Sequence, residues 1–449
     1  MLIYLLLAIF IAMLYITYTK FDKDIVAPAF VLVSGYTFSI ICAIANVDAW
    51  KIDLHWQTVG VLTYGTGLFV ITGYLVKRYM QKRYEKENHE EKVLVPIQYN
   101  KKYVKYFCVF QIVVMALWIA NIYYVTSQLG DFNSFSEMMV AFRNWSSYST
   151  EWIGSKLYFV INQFAQICGA SVPVFTYLFT YNYVVKNTVR EDALSVLPFG
   201  LSVGLMLLGG GRLGILQFVM CFCMLVIFFR RKINKKIFLL KLKVVVMMIA
   251  SIILGSVLFY YAKALVGRGA SNLSTAHIFS YITMYVGGPI QLLDMFLQNP
   301  IESSLIWGKE TFYTIILQLS RLGIIDVQPY IIHLEFRNAL TGAFLGNIYT
   351  AYRSYIYDFG NLGLTVLPII FACCVSFLYY KVLYDKKIKA YSIWILLYML
   401  VFPSIFFDFV RCFFFASVIS FATVKKMIFI VGLSCAFVKE FKLKDVFSK

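Results

Sequence analysis

The residues best suited to chemistry in this chain are seven arginines that lie between its apolar runs: Arg143, Arg212, Arg268, Arg321, Arg337, Arg353 and Arg411. A guanidinium offers a planar fork of donors that grips phosphate or carboxylate oxygens in pairs. Arg212 follows Gly209-Gly210-Gly211 and opens an apolar run that continues to Phe229. Three glycines let backbone amides close around an anion, and a helix N-terminus adds partial positive charge. A tight hairpin with a snorkelling arginine fits the same four residues. A second group is His333-Leu334-Glu335-Phe336-Arg337, with Asp358 further on. A histidine or carboxylate beside an arginine can take a proton from a hydroxyl. A surface histidine fits as well.

Other candidates carry less. His55, His89 and His277 complete the histidines, and His89 sits in a basic loop. Asp408 and Arg411 share one short turn and are spaced to pair with each other. Asn162, Gln163 and Gln166 read as hydrogen bonders between helices. The nine cysteines fall in or beside apolar runs with no disulfide framework or zinc spacing. No metal-ligand spacing, nucleotide loop or Ser-His-Asp order is present, which speaks against an ATP-driven pump.

These residues need elements to hold them. The chain has 449 residues, of which 60% are hydrophobic and 14% charged, with mean hydropathy +0.73. So apolar a chain is not a soluble globule. Its apolar runs approach the roughly 20 residues that cross a bilayer, where only helices satisfy the backbone. Eleven spans are expected, near 2–19, 25–45, 57–76, 106–126, 156–185, 193–208, 213–229, 244–262, 355–380, 391–407 and 412–428. Met1 to Thr19 lacks a basic n-region and a small-residue cleavage signal, so it reads as the first span, not a signal peptide.

Basic residues orient the bundle. With the N-terminus outside, the inner loops (20–24, 77–105, 186–192, 230–243, 381–389 and 425–449) hold 25 Lys and 5 Arg. The outer side holds 4 Lys and all seven arginines named above. The net charge of +18 is therefore a topology signal beside lipid head groups and does not argue for nucleic acid. A topology signal is indifferent between Lys and Arg, so arginine enrichment on the outer face points to anion binding there. Some of the seven are expected to pair with Asp or Glu instead. The organisation expected is transmembrane helices over 1–262, a large outer cap over 263–354, and further spans with an inner tail over 355–449. The cap is too polar to be one span and too apolar to be a linker. Gly287-Gly288-Pro289 and Asn299-Pro300 break it, and Thr311 to Ile325 is amphipathic.

Several motifs now form a set. They are Gly209-Gly210-Gly211-Arg212-Leu213-Gly214, Gly287-Gly288-Pro289 with Asp294, and Gly308-Lys309-Glu310-Thr311-Phe312. Then come Gly346-Asn347-Ile348-Tyr349-Thr350-Ala351-Tyr352-Arg353, Tyr357-Asp358-Phe359-Gly360 with Gly363, and Arg411 with Phe413-Phe414. Over most of residues 100–430 the chain resembles the Wzy-type polymerases that join oligosaccharide repeat units in O-antigen and capsule synthesis. The resemblance implies an all-α fold related to the GT-C class, in a bacterial cytoplasmic membrane with its site facing outward. It implies repeat units carried on undecaprenyl diphosphate as both donor and acceptor. No metal or soluble cofactor is implied. A flippase and a chain-length regulator are the neighbours such a polymerase works beside.

On that reading diphosphate is the leaving group, and fixed positive charge must meet the charge it develops. Arg212 and the amides of Gly209, Gly210 and Gly211 would hold it. Arg337, Arg353 and Arg411 would be further clamps, with Arg268 and Arg143 behind them. His333, Glu335 or Asp358 would be the general base, and Tyr349 would stack on a sugar. An O-antigen ligase uses the same donor with another acceptor and stays open. So does a flippase for lipid-linked sugars, although inverted repeats and midplane charges are not seen.

Overall fold

The structure, a computed structural model, describes residues 1–85, 95–149, 153–154, 156–186, 188, 190–209, 213–233, 257, 275–302, 304–328, 330–332, 334–385 and 391–442. Its main helices are α1 (Leu2–Lys20), α2 (Pro28–Ile44), α3 (Trp56–Glu85), α4 (Lys101–Thr126), α5 (Phe135–Tyr148), α6 (Lys156–Lys186), α7 (Leu197–Leu208), α8 (Leu213–Ile233), α9 (Thr275–Gln298), α10 (Tyr313–Arg321), α11 (Ala351–Tyr384), α12 (Ile393–Phe406) and α13 (Phe421–Phe437). A short antiparallel hairpin, β1 (Arg337–Asn338) and β2 (Phe344–Gly346), precedes α11.

Among the described residues, seven helices are long and apolar enough to cross a membrane: Leu2–Lys20, Trp56–Tyr84, Lys101–Thr126, Leu157–Lys186, Arg190–Leu208, Gly214–Lys232 and Ala351–Tyr384. Pro28–Ile44 and Ile393–Phe409 are shorter apolar helices. The fold is that of an all-α polytopic membrane protein. Of the eleven expected spans, 244–262 lies outside the described residues except for position 257.

The chain divides into two compact units. The first comprises Met1–Glu91, Ser274–Lys387 and Leu400–Thr423. Here α11 lies along α3, and α2 is flanked by α1 and α9. The C-terminal part of α3 is fixed by Lys77, which is 3% exposed. Its Nζ pairs with Asp22 at 2.7 Å and donates to the Lys20 carbonyl at 2.7 Å. Lys77, expected beside lipid head groups, instead ties α3 to the α1–α2 turn.

The segment expected to be a cap of short pieces holds one long helix, α9, of 24 residues. It crosses α2 so closely that a Cβ on Gly287 would stand 2.5 Å from the Ala43 amide nitrogen. Only glycine fits there, and membrane helices use such small residues to bring backbones together. Ser39 Oγ donates to the Val286 carbonyl at 2.6 Å beside this crossing. Gly287 and Pro289 thus sit inside α9 and break nothing. Near the start of Ala351–Tyr384, Gly360 takes φ +59° and ψ −145° and interrupts the helix. A side chain would strain that conformation. The 24 residues after it rise roughly 36 Å, enough for the bilayer core. The turns before it, carrying Arg353 and Asp358, form a separate arm.

The second unit comprises Lys92–Leu273, Ile388–Met399 and Val424–Lys449. Trp118, Ile122, Phe142, Trp145, Ile161 and Leu205 are central to its buried cluster. Gln111 Nε2 donates to the Pro198 carbonyl and to Ser202 Oγ, both at 2.8 Å, joining α4 to α7. α5 lies in what the sequence reads as an outer loop. Its first turn is capped from both sides: Ser134 Oγ accepts from Glu137 N, and the Glu137 carboxylate accepts from Asn133 N.

The last span differs from expectation. The expected 412–428 is replaced by a π turn over Phe414–Val418 and then by α13. At one end of α13, Lys425 Nζ donates to Gln163 in the first turns of α6 at 3.1 Å. At the other end, Asn100 N donates to the Phe437 carbonyl and Tyr391 OH bonds Ser434 Oγ. α13 therefore runs the length of its unit, and Lys425 sits by the first turns of α6 instead of in a tail after the last span.

Candidate functional site

The end of α9 is the hub of the first unit's polar residues. Arg337, on β1, turns its guanidinium onto the closing turn of that helix. Nη1 donates to the Met295 carbonyl at 2.5 Å and Nη2 to the Asn299 carbonyl at 3.0 Å. Carbonyls at a helix C-terminus lack intrahelical partners and favour a cation. Nη2 also pairs with Glu335 Oε1 at 3.2 Å. Arg337, expected as a diphosphate clamp, thus spends its fork on a helix end and a carboxylate.

Arg353 is the most enclosed charge of the group, at 1% exposed. Nη1 pairs with Glu310 Oε2, and Nη2 with Glu335 Oε2 at 2.8 Å. The guanidinium carbon lies over the rings of Phe296 and Tyr349, each at 4.8 Å, and Tyr357 at 5.3 Å. Such cation–π contacts gain when desolvated. Ser354 Oγ completes Glu310 Oε2 at 3.0 Å. Burial raises the Glu310 carboxyl above the usual carboxylate range, against the pull of Arg353. Two guanidiniums here meet two carboxylates, so the cluster has no spare positive charge. For Arg353 to grip a diphosphate, a glutamate would have to leave it.

Asp358 turns back on the same loop. Its carboxylate accepts from the amides of Glu310 (3.1 Å) and Thr311 (2.6 Å). Thr311 Oγ1 donates to the Ser354 carbonyl at 3.2 Å. Of the residues expected to supply a base, Glu335 bridges two arginines and Asp358 pins the 310–311 backbone. Tyr349 is buried, with Arg353 over its ring, and its OH donates to the Glu335 carbonyl at 3.1 Å. Burial, reinforced by Glu335, pushes its phenol well up.

Four of the sequence motifs meet in this unit, together with the stretch beside Phe413-Phe414. Phe359 packs on Trp307 at 4.8 Å and on Phe312 at 5.8 Å. Phe312 reaches Phe415 at 5.7 Å, and Thr314 Oγ1 donates to the Ala416 carbonyl. Gly288 faces the Leu345 carbonyl, beside the Gly346 motif. Segments far apart in the chain are thus one folded assembly.

The same helix end holds a pair that the sequence does not announce. Asp294, 2% exposed, accepts from the His55 backbone amide at 2.8 Å and from Thr58 Oγ1 at 2.5 Å. Its other oxygen meets His55 Nδ1 at 2.9 Å. The His55 side chain remains 54% exposed. A lone histidine far from its carboxylate in sequence carries no spacing signal. The hint was Asp294, an acid placed a few residues after Gly287-Gly288-Pro289 in a largely apolar helix.

The remaining expected residues fall as follows. Gly209 ends α7, its amide donating to the Leu205 carbonyl at 3.1 Å. Gly210, Gly211, Arg212, Arg268 and His333 lie outside the described residues, although α8 does begin at Leu213 as expected. Arg143 is half-buried on α5. Arg411 is exposed, with its guanidinium 6.0 Å from the Phe413 ring centroid. Asp408 takes the hydroxyl of Tyr36 at 2.8 Å rather than Arg411, because both groups are buried where Arg411 is not.

Fold and site together define a helical membrane protein with a charged, hydrogen-bonded assembly built on α9, the hairpin and the first turns of α11. No family model, curated protein or solved structure matches the chain.

Proposed function

We propose that the protein is a metal-independent glycosyltransferase of the repeat-unit polymerase kind. It joins undecaprenyl-diphosphate-linked oligosaccharides into O-antigen or capsular polysaccharide on the outer face of the bacterial cytoplasmic membrane. One observation carries the reading: motif segments around 287–294, 308–312, 346–353 and 357–360, which bear the resemblance, converge on one polar assembly. Chance similarity gives no reason for separate short motifs to touch.

The roles within the reading follow the charges. The cluster around Arg353 is neutral, so it serves as the frame that fixes the loop, hairpin and helix end. Positive charge for the departing diphosphate is left to Arg212 of the Gly209-Gly210-Gly211-Arg212 motif, which lies outside the described residues. Fixed donors at the point where charge develops are the strongest lever a site without other electrophiles has.

The test is a purified-protein assay with lipid-linked repeat units extracted from the producing strain, read as a ladder on a gel. The reading expects a ladder from wild type and single units only from Arg212→Ala at normal protein level. Arg212→Lys should also fail largely, since a point charge lacks the fork. A wild type that leaves single units unjoined contradicts the reading.

A further inference from the structure

The pair formed by His55 and Asp294 is built like a proton-transfer device. A buried carboxylate receives Nδ1–H of the ring at 2.9 Å, and is itself held by Thr58 Oγ1 and the His55 amide. With Nδ1 bearing the proton, the free lone pair is on Nε2. A carboxylate placed this way fixes both tautomer and ring orientation and supports the imidazolium that forms. The ring is 54% exposed while its partner is 3% exposed, so the anchored end is dry and the working end is open. A purely structural staple needs only the amide and Thr58, which already satisfy Oδ1. The ring contact adds a third bond from a side chain that could otherwise turn to solvent.

Its place matters as well. Asp294 stands directly before Met295 and Phe296, whose carbonyl and ring receive Arg337 and Arg353. The open histidine and the closed arginine cluster therefore grow from one turn of α9. Glu335, Asp358, Glu310 and Tyr349 are each hydrogen-bonded within the cluster, and none is as exposed as the His55 ring.

We propose that His55, positioned by Asp294, is the proton acceptor for the carbohydrate hydroxyl that attacks the lipid-linked donor. The proposal rests on the glycosyltransferase reading. In the step, the acceptor oxygen forms a bond to the donor's anomeric carbon as the anomeric C–O bond to diphosphate breaks. The bonding pair leaves with the lipid diphosphate, and the hydroxyl proton passes to His55 Nε2. Asp294 stabilises the imidazolium until it returns the proton to water.

The experiment uses the full chain in nanodiscs and the same extract of lipid-linked repeat units. His55→Ala is expected to lower kcat by about 10²–10⁴-fold with KM little changed. Added imidazole should restore a measurable part of the rate to His55→Ala and nothing to wild type. Asp294→Asn should lower kcat in the same direction without imidazole rescue. Should His55→Ala fail to fold, His55→Gln keeps a donor toward Asp294 and carries the same test. An active wild type with His55→Ala within threefold of it on the same extract overturns the proposal alone. A silent wild type overturns the glycosyltransferase reading and this proposal with it.

Discussion

Two acid–base groups grow from the same end of α9 and could hardly be more different. Around Arg353 the charges are paired: two glutamates and three aromatic rings surround one guanidinium, and a serine bonds one of the glutamates. At His55 a single buried carboxylate holds a ring that is half open to solvent. The first arrangement spends its chemistry internally and yields a rigid frame. The second keeps one nitrogen available. A charged residue is thus a poor guide to function by type alone; what counts is whether its partners leave an atom over.

The comparison breaks most readily at Arg353. Arg353→Ala would leave Glu310 facing a buried void without its counter-ion and Glu335 with Arg337 alone, at a cost of about 3–5 kcal/mol. Thermal unfolding in detergent should show the loss, with little protein recovered from membranes. Arg353→Lys should recover only part of it, since one ammonium cannot serve two carboxylates and three ring faces. Near-wild-type stability in Arg353→Ala would mean the cluster is not a frame.

Arg337→Ala comes next. It uncovers the carbonyls of Met295 and Asn299 and one oxygen of Glu335. Charge-assisted bonds of this kind contribute about 1.5–3 kcal/mol, and unfolding should report a loss in that range. Thr58→Val sharpens the other side by removing one of three bonds to Asp294, a change of about 1 kcal/mol. Smallest in stability is His55→Ala, at or below the Thr58→Val change, because water can replace the bond to Asp294 that the 54%-exposed ring gives up. The order Arg353, Arg337, Thr58, His55 is itself the prediction.

Much of the fold was legible in the sequence because apolar length and basic loops follow from the cost of polar groups in lipid. The helix after Gly209-Gly210-Gly211-Arg212 begins where expected, at Leu213. The middle segment was less legible. Gly287-Gly288-Pro289 looks like a breaker, yet α9 runs through it, because a close crossing with Ala43 asks for glycine as strongly as a turn does. Lys425 and Lys426 look like a helix stop beside the inner lipid heads, yet α13 contains them and Lys425 finds Gln163.

At the site, Arg337 and Arg353 are the expected arginines that share one cluster, and residue type did not show that both would be neutralised. Glu310 sits in the motif Gly308 to Phe312 without marking itself as the partner of Arg353, 43 positions later. His55 was the least legible of all, since its carboxylate arrives from a helix 239 positions away. Short-range patterns find helices; the partners that decide a side chain's freedom are long-range.

On the proposed reading the His55–Asp294 pair faces the outer compartment. The direct measurement is labelling of intact cells with a membrane-impermeant maleimide, in a cysteine-free background carrying either His55→Cys or Lys439→Cys. Position 55 should label in intact cells, and position 439 only after the membrane is opened. Labelling of 439 but not 55 from outside would invert the molecule and contradict the account.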